Sequence, residues 1–175
     1  MLSAIHPVVP KLAQFLNHRQ LTLCTAESCT GGMVAAALTD LPGSSAWFER
    51  GFVTYSNASK QENLGVSMDL IQSLGAVSAA VAKEMAIGAL KNSSADVSLA
   101  ITGVAGPSGG SIEKPVGYVC FAWALKKDKQ YITSSEEVSL LSPQDTIDDM
   151  TRQHVRLLAR DYALQGLITL LEKSF

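Results

Sequence analysis

The 175-residue chain is poor in cysteine and histidine. It has three cysteines, Cys24, Cys29 and Cys120, none in C-x-x-C spacing. An odd count in that arrangement argues against both a disulfide framework and a cysteine-built zinc site, and fits a reducing cytoplasm. The three histidines, His6, His18 and His154, lie far apart with no metal-ligand spacing around them, so no metal site is expected. Charge of either sign is sparse as well. The formal net charge of -2 leaves no basic footprint for nucleic acid. The one gathering of lysines, Lys126, Lys127 and Lys129, reads as a solvated hairpin tip. No apolar run approaches a membrane span, and the N-terminus lacks the charged-then-apolar pattern of a signal peptide. Low-complexity tracts, charge blocks, repeats and interdomain linkers are also missing. With 47% apolar residues, residues 1–175 are expected to form one domain with a substantial core.

Patterning within the chain alternates helix and strand. Pro10 suits the first turn of a short helix with the stripe Leu12, Phe15 and Leu16. A strand at about Leu21 to Ala26 leads into a turn at Ser28. The helix Met33 to Thr39 follows and stops near Leu41-Pro42-Gly43. Trp47 and Phe48 are expected to pack against the core, and Phe52 to Tyr55 reads as a second strand. Ser56-Asn57 caps a short helix that carries Lys60 and ends at Gly65. Ser67 and Gly75 bracket another helix. Ser78 caps a longer one with the face Val81, Met85 and Ala89. Strands are expected at Val97 to Thr102, Val116 to Ala124 and Tyr131 to Val138, the last two as a hairpin. Ser142-Pro143-Gln144-Asp145 has capping spacing with Pro at the first helical position. It predicts the start of a long C-terminal helix with Ile147, Met150, Val155, Leu158 and Tyr162 near one face. This order implies an α/β fold with a mixed sheet.

Three segments carry the residue types of chemistry. Thr25-Ala26-Glu27-Ser28-Cys29-Thr30-Gly31-Gly32 is a strand–turn–helix junction. A new helix offers unpaired backbone N–H groups and a favourable dipole to a nucleophile or anion. The same residues also serve as an ordinary N-cap and tight turn. Gly51-Phe52-Val53-Thr54-Tyr55-Ser56-Asn57-Ala58-Ser59-Lys60 places Tyr55, Asn57 and Lys60 at a strand end, where ligands bind in open α/β sheets. A lysine desolvated there can lose its proton and act as a base, whereas a solvated helix lysine cannot. Thr102 to Gly110 has four glycines in nine residues directly after a strand. It could aim N–H groups at a phosphate or be a long surface turn. It has neither the P-loop ending nor dinucleotide spacing, so neither ATP nor NAD is indicated. Ser28 and Lys60 are too far apart for a local S-x-x-K motif, and no His-Asp pair accompanies a serine. Cys29 is the other possible nucleophile, or a small buried apolar residue.

Taken together, these three segments resemble the CinA C-terminal family, which includes stand-alone nicotinamide mononucleotide deamidases. Leu64-Gly65-Val66, Gly75-Ala76-Val77-Ser78, Thr102-Gly103-Val104-Ala105-Gly106-Pro107 and Lys114-Pro115-Val116-Gly117 extend the resemblance, in order, from about Leu12 to Leu167. It leaves no room for the second, N-terminal domain of longer CinA proteins. It implies a three-layer α/β/α sandwich, usually a homodimer, with no metal or organic cofactor. It also implies hydrolysis of the nicotinamide mononucleotide carboxamide to nicotinate mononucleotide and ammonia in pyridine-nucleotide recycling. Ser28 and Lys60 fall on the family's serine and lysine, Tyr55 and Thr102 on other motif positions, and Arg152 and Arg156 on arginines of its last helix. One departure stands before those arginines: Asp148-Asp149-Met150-Thr151 replaces a Phe/Gly-rich stretch.

The residue types agree with amide hydrolysis. Ser28 can attack the carbonyl carbon, and a neutral Lys60 can take its proton and later help ammonia leave. N–H groups around Cys29, Thr30 and Gly31 are candidates for the oxyanion hole. Gly103, Gly106 and Gly109, with Arg152 or Arg156, are candidates for holding phosphate and ribose. Tyr55 is a candidate to orient Lys60 or to donate to the intermediate. Two other classes fit the same residues: a nucleotide-binding module without turnover, and a hydrolase of another small amide.

Overall fold

The computed structural model describes residues 5–128 and 130–175. Helices and strands alternate as α1 (Val8–Arg19), β1 (Leu23–Glu27), α2 (Met33–Thr39), β2 (Phe48–Val53), α3 (Asn57–Leu64), α4 (Met68–Leu74) and α5 (Ala79–Lys91). They continue as β3 (Val97–Gly103), β4 (Tyr118–Lys127), β5 (Gln130–Ser139) and α6 (Thr151–Ser174). The sheet order is β2-β1-β3-β4-β5. β2, β1 and β3 are parallel, and β4 and β5 extend the sheet antiparallel. The expected mixed sheet is therefore present. Lys126 and Lys127 are exposed at the hairpin, and Lys129 lies outside the described residues.

The two faces of the sheet differ in side-chain size. Along β4, Val119, Phe121, Trp123 and Leu125 enter a core shared with α1, α2 and α6. Cys120, Ala122 and Ala124 alternate onto the opposite face, beneath α5. This makes three layers, α/β/α. Small residues let α5 approach closely enough for the Ser98 hydroxyl to donate to the Ala86 carbonyl at 2.7 Å. On the other face the Trp123 indole lies against Gly166 and donates from Nε1 to the Ala163 carbonyl at 2.8 Å.

β4 runs Tyr118–Lys127 where Val116 to Ala124 was expected, and two other elements differ more. β2 begins at Phe48 and ends at Val53, not Tyr55. It is an edge strand that leaves Arg50 and Gly51 exposed, so its apolar alternation is weak. The C-terminal helix begins at Thr151, not after Ser142. Ser142 to Asp145 closes on itself as a turn, the Asp145 carboxylate accepting from the Ser142 amide at 2.6 Å. Asp148 does the capping instead, accepting from the amides of Met150 and Thr151, both at 2.9 Å. Ile147 and Met150 consequently lie ahead of the helix and are exposed. The buried face of α6 is Val155, Ala159, Ala163, Leu164, Leu167, Ile168 and Leu171.

Candidate active site

The parallel strands β1, β2 and β3 end at one edge of the sheet, the position where open α/β sheets bind ligands. β1 leads into Ser28, whose amide donates to the Ile101 carbonyl on β3 at 2.9 Å. The Gly31 amide returns to the Ser28 carbonyl at 3.0 Å and closes a tight turn. Gly31 and Gly32 complete it at φ of 60° and 93°, values that suit glycine.

Glu27 has a role that its sequence position did not reveal. Its side chain is fully buried. The carboxylate accepts from the amides of Gly32 and Val34 at 3.0 Å and of Ala35 at 2.9 Å. The open donors expected at the start of α2 are therefore taken by the chain itself. Two amides beside Ser28, those of Cys29 and Thr30, donate to no other residue among the described residues.

Lys60 reaches the same point from the opposite face. A capping box starts α3, with the Ser59 amide on the Ser56 hydroxyl at 3.0 Å and the Ser56 amide on the Ser59 hydroxyl at 3.1 Å. This sets the helix so that Lys60 points inward, only 1% exposed. Its Nζ lies 3.0 Å from Ser28 Oγ and donates to the Thr54 carbonyl at 2.8 Å. Burial lowers its pKa from the ordinary lysine value. No carboxylate among the described residues lies within ion-pair distance of Nζ.

These two side chains open onto a cleft of about 220 Å³. Cys29, Thr102 and Gly103 line it beside Ser28, and Tyr55 and Arg152 stand at its polar side. Tyr55 makes no bond to Lys60. Its hydroxyl accepts from Arg152 at 2.5 Å, and the same guanidinium donates to the Gly106 carbonyl at 2.8 Å. Arg152 thus ties the end of β2 to the glycine loop. Arg156 instead braces the Ser28 turn from behind, donating to the Thr30 carbonyl at 2.9 Å. Thr30 and Gly31 belong to that rear wall.

Gly109 is not brought to this cleft. It borders a separate hollow with Ile112 and Ile147. Gly103 and Gly106 have packing reasons to be glycine. A Cβ on either would lie 2.7 Å and 2.4 Å from side-chain carbons of Val119 and Val116 respectively. The cleft also includes Asn57, which the sequence placed at the strand end, and Ala76, Val77 and Ala105, which sequence reasoning did not select. The signal for Ala76 and Val77 was the Gly75-Ala76-Val77-Ser78 block.

The CinA C-terminal domain family matches residues 6–171. The chain belongs to this family. It is 50% identical over 157 residues to nicotinamide-nucleotide amidohydrolase PncC of Escherichia coli K12, covering 90% of this chain and 88% of that protein. It is 45% identical over 161 residues to the PncC of Enterobacter agglomerans, covering 92% of each. A CinA superfamily structure from Klebsiella pneumoniae 700603 superposes with a TM-score of 0.84 at 32% identity, covering 98% of this chain and 99% of that one. The competence/damage inducible protein CihA of Agrobacterium tumefaciens gives 0.80 at 40% identity, with 97% and 99% covered.

Within this CinA domain, the two candidate nucleophiles differ in character. The Cys29 thiol is 5% exposed, and burial pushes its pKa up to about 11. That suppresses the thiolate on which cysteine reactivity depends. The Ser28 hydroxyl has a desolvated amine at hydrogen-bond distance, the arrangement that activates an alcohol.

Proposed function

We propose that the chain is a nicotinamide-nucleotide amidohydrolase that works through Ser28 and Lys60. The observation that carries this reading is the 3.0 Å approach of two buried groups from different strands' ends. The relatives named for this activity, aligned over about nine-tenths of the chain, supply the substrate.

In the first half-reaction Ser28 Oγ bonds to the carboxamide carbon while its proton passes to the neutral Lys60 amine. The carbonyl oxygen becomes an oxyanion, and the amide of Cys29, which lines the cleft, is its candidate donor. As the carbon–nitrogen bond breaks, the Lys60 ammonium returns the proton to the departing nitrogen, releasing ammonia. Lys60 then deprotonates a water. That water attacks the Ser28 ester, the carbon–Oγ bond breaks as the Lys60 ammonium returns its proton to Ser28 Oγ, and nicotinate mononucleotide leaves. Lys60 can cycle this way because burial disfavours its charged form and the Thr54 carbonyl fixes its direction.

Arg152 is our candidate for the 5′-phosphate, because it is the arginine that lines the cleft. Tyr55, held by Arg152, and Thr102 complete the proposed substrate contacts. No step requires a metal or organic cofactor. We place the enzyme in the cytoplasm as a homodimer acting in pyridine-nucleotide recycling, without nucleic-acid partners. No helix among the described residues is long and apolar enough to cross a membrane.

The direct test is ammonia release from nicotinamide mononucleotide by purified protein and by Ser28→Ala. The wild type should turn over, and the variant should lose roughly a thousandfold or more in kcat while remaining folded. Near-normal kcat in folded Ser28→Ala would assign the attack to another group.

A further inference from the structure

We propose that Lys114 is a positioning residue that sets which amide-bearing ring the cleft accepts. The inference rests on the deamidase reading of the Ser28 cleft. Ser28 Oγ must reach the carboxamide carbon, and the pyridine ring is one bond beyond it. The ring therefore lies inside the cleft, against its apolar wall. Ala76, Val77 and Ala105 provide that wall, and the first two come from the turn joining α4 to α5.

That turn is held through its own carbonyls. Lys114 Nζ donates to the Leu74 carbonyl at 2.8 Å and to the Val77 carbonyl at 2.6 Å. The Thr102 hydroxyl donates to the Ala76 carbonyl between them at 2.9 Å. Gly75 turns the chain at φ of 80°, and a Cβ there would lie 3.6 Å from the Lys114 ammonium. Lys114 is fixed in turn: its amide donates to the Ser111 hydroxyl at 3.1 Å, and its carbonyl accepts from the Ser111 amide at 3.0 Å. From the far side, the Glu137 carboxylate accepts from the Ala79 amide at the start of α5 at 2.9 Å.

Lys114 itself does not line the cleft. It acts from behind, through two charge-assisted hydrogen bonds that must break before Ala76 and Val77 can retreat. A fixed wall discriminates by size, and one misplaced methyl group in such a pocket is worth about 10–200-fold. Loosening the wall should weaken binding of the proper ring and admit larger ones. The chemistry at Ser28 should change little.

The test compares wild type, Lys114→Met and Lys114→Gln. The substrates are nicotinamide mononucleotide and its analogues methylated at ring carbons 4, 5 and 6. Methionine keeps much of the stem and loses both donors, and glutamine keeps one donor group. The expected result is a KM for nicotinamide mononucleotide about tenfold higher in Lys114→Met, an intermediate value in Lys114→Gln, and kcat within about twofold of wild type. Discrimination against at least one methylated analogue should fall by about tenfold. Unchanged KM and unchanged discrimination in folded Lys114→Met overturn the proposal, as does a loss confined to kcat. Should Lys114→Met not fold, Lys114→Gln decides on the same two readouts. A folded wild type that releases no ammonia from nicotinamide mononucleotide sinks the deamidase reading and this inference with it. An active wild type with unaltered Lys114 variants sinks this inference alone.

Discussion

Lys60 Nζ and Ser28 Oγ, 32 positions apart in the chain, meet at 3.0 Å where β1 and β2 end side by side. Each arrives from a different face of the sheet, Ser28 at the turn into α2 and Lys60 on α3. The meeting therefore depends on the parallel pairing of β1 and β2 and on the start of α3, rather than on any local motif.

The proposed mechanism uses the neutral Lys60 amine as its base, and burial favours that form by lowering the pKa. The kcat/KM for nicotinamide mononucleotide should be full above that lowered pKa and fall as pH drops through it. Lys60→Arg keeps a cation that cannot deprotonate near neutrality. It should lose about 10²–10⁴-fold, close to Lys60→Ala, with nucleotide affinity largely kept. A Lys60→Arg enzyme retaining most of its rate would show that the side chain serves as a charge and not as a base.

The same shift predicts how stability varies with pH. Between the lowered pKa of the folded chain and the ordinary lysine value, the unfolded chain binds the extra proton, so stability should rise with pH across that window. Lys60→Met should flatten this slope in denaturant titrations at a series of pH values. An identical slope in the variant would count against a neutral buried amine.

Glu27→Gln tests the support beneath the nucleophile. The amide group brings two hydrogens toward a site built from donors and leaves one oxygen for three backbone N–H groups. A loss of about 1–3 kcal/mol in unfolding free energy is expected for the stranded donors. The kcat should fall with KM nearly unchanged, because the Ser28 turn shifts while the Arg152 side of the cleft does not. Unaltered kcat would mean that the turn holds without this carboxylate.

Gly166→Ala probes the core away from the site. A Cβ there would stand 2.0 Å from Trp123 Cζ2, and the bond from Nε1 to the Ala163 carbonyl keeps the indole from swinging aside. Overpacking of this kind costs about 1–3 kcal/mol or more. The melting temperature should drop by several degrees while kcat at 25 °C stays near wild type. An unchanged melting temperature would show that α6 can slide over the sheet.

Local chemistry made much of the fold legible. Ser56, Ser67 and Ser78 each begin a helix as read, and the turn at Ser28 lies between strand and helix as read. Boundaries failed at β2, where an exposed edge strand alternates weakly, and at the start of α6. The sequence reading put the cap at Ser142-Pro143, whereas in the structure Asp148 engages the amides of Met150 and Thr151. At the site, residue types made Ser28 and Lys60 candidates, and the family resemblance added Arg152 and Arg156, of which Arg152 lines the cleft. Glu27 was not legible, because a buried carboxylate facing backbone amides leaves the same letter as a solvated one. Ala76 and Val77 were not, because an apolar wall is defined only once the fold sets it opposite Ser28.

Thr54 donates its amide hydrogen to the Glu27 carbonyl at 2.9 Å and takes Lys60 Nζ on its own carbonyl at 2.8 Å. One residue, through its two flanking peptide groups, thus joins the strand that leads to Ser28 to the Lys60 amine. It sits just past the end of β2, an outer strand with one neighbour in the sheet. Fraying of that border parts the two reactive groups while the aromatic interior around Trp123 stays intact. Warming should therefore silence the enzyme before it melts, and cooling should restore it, since no covalent bond has changed.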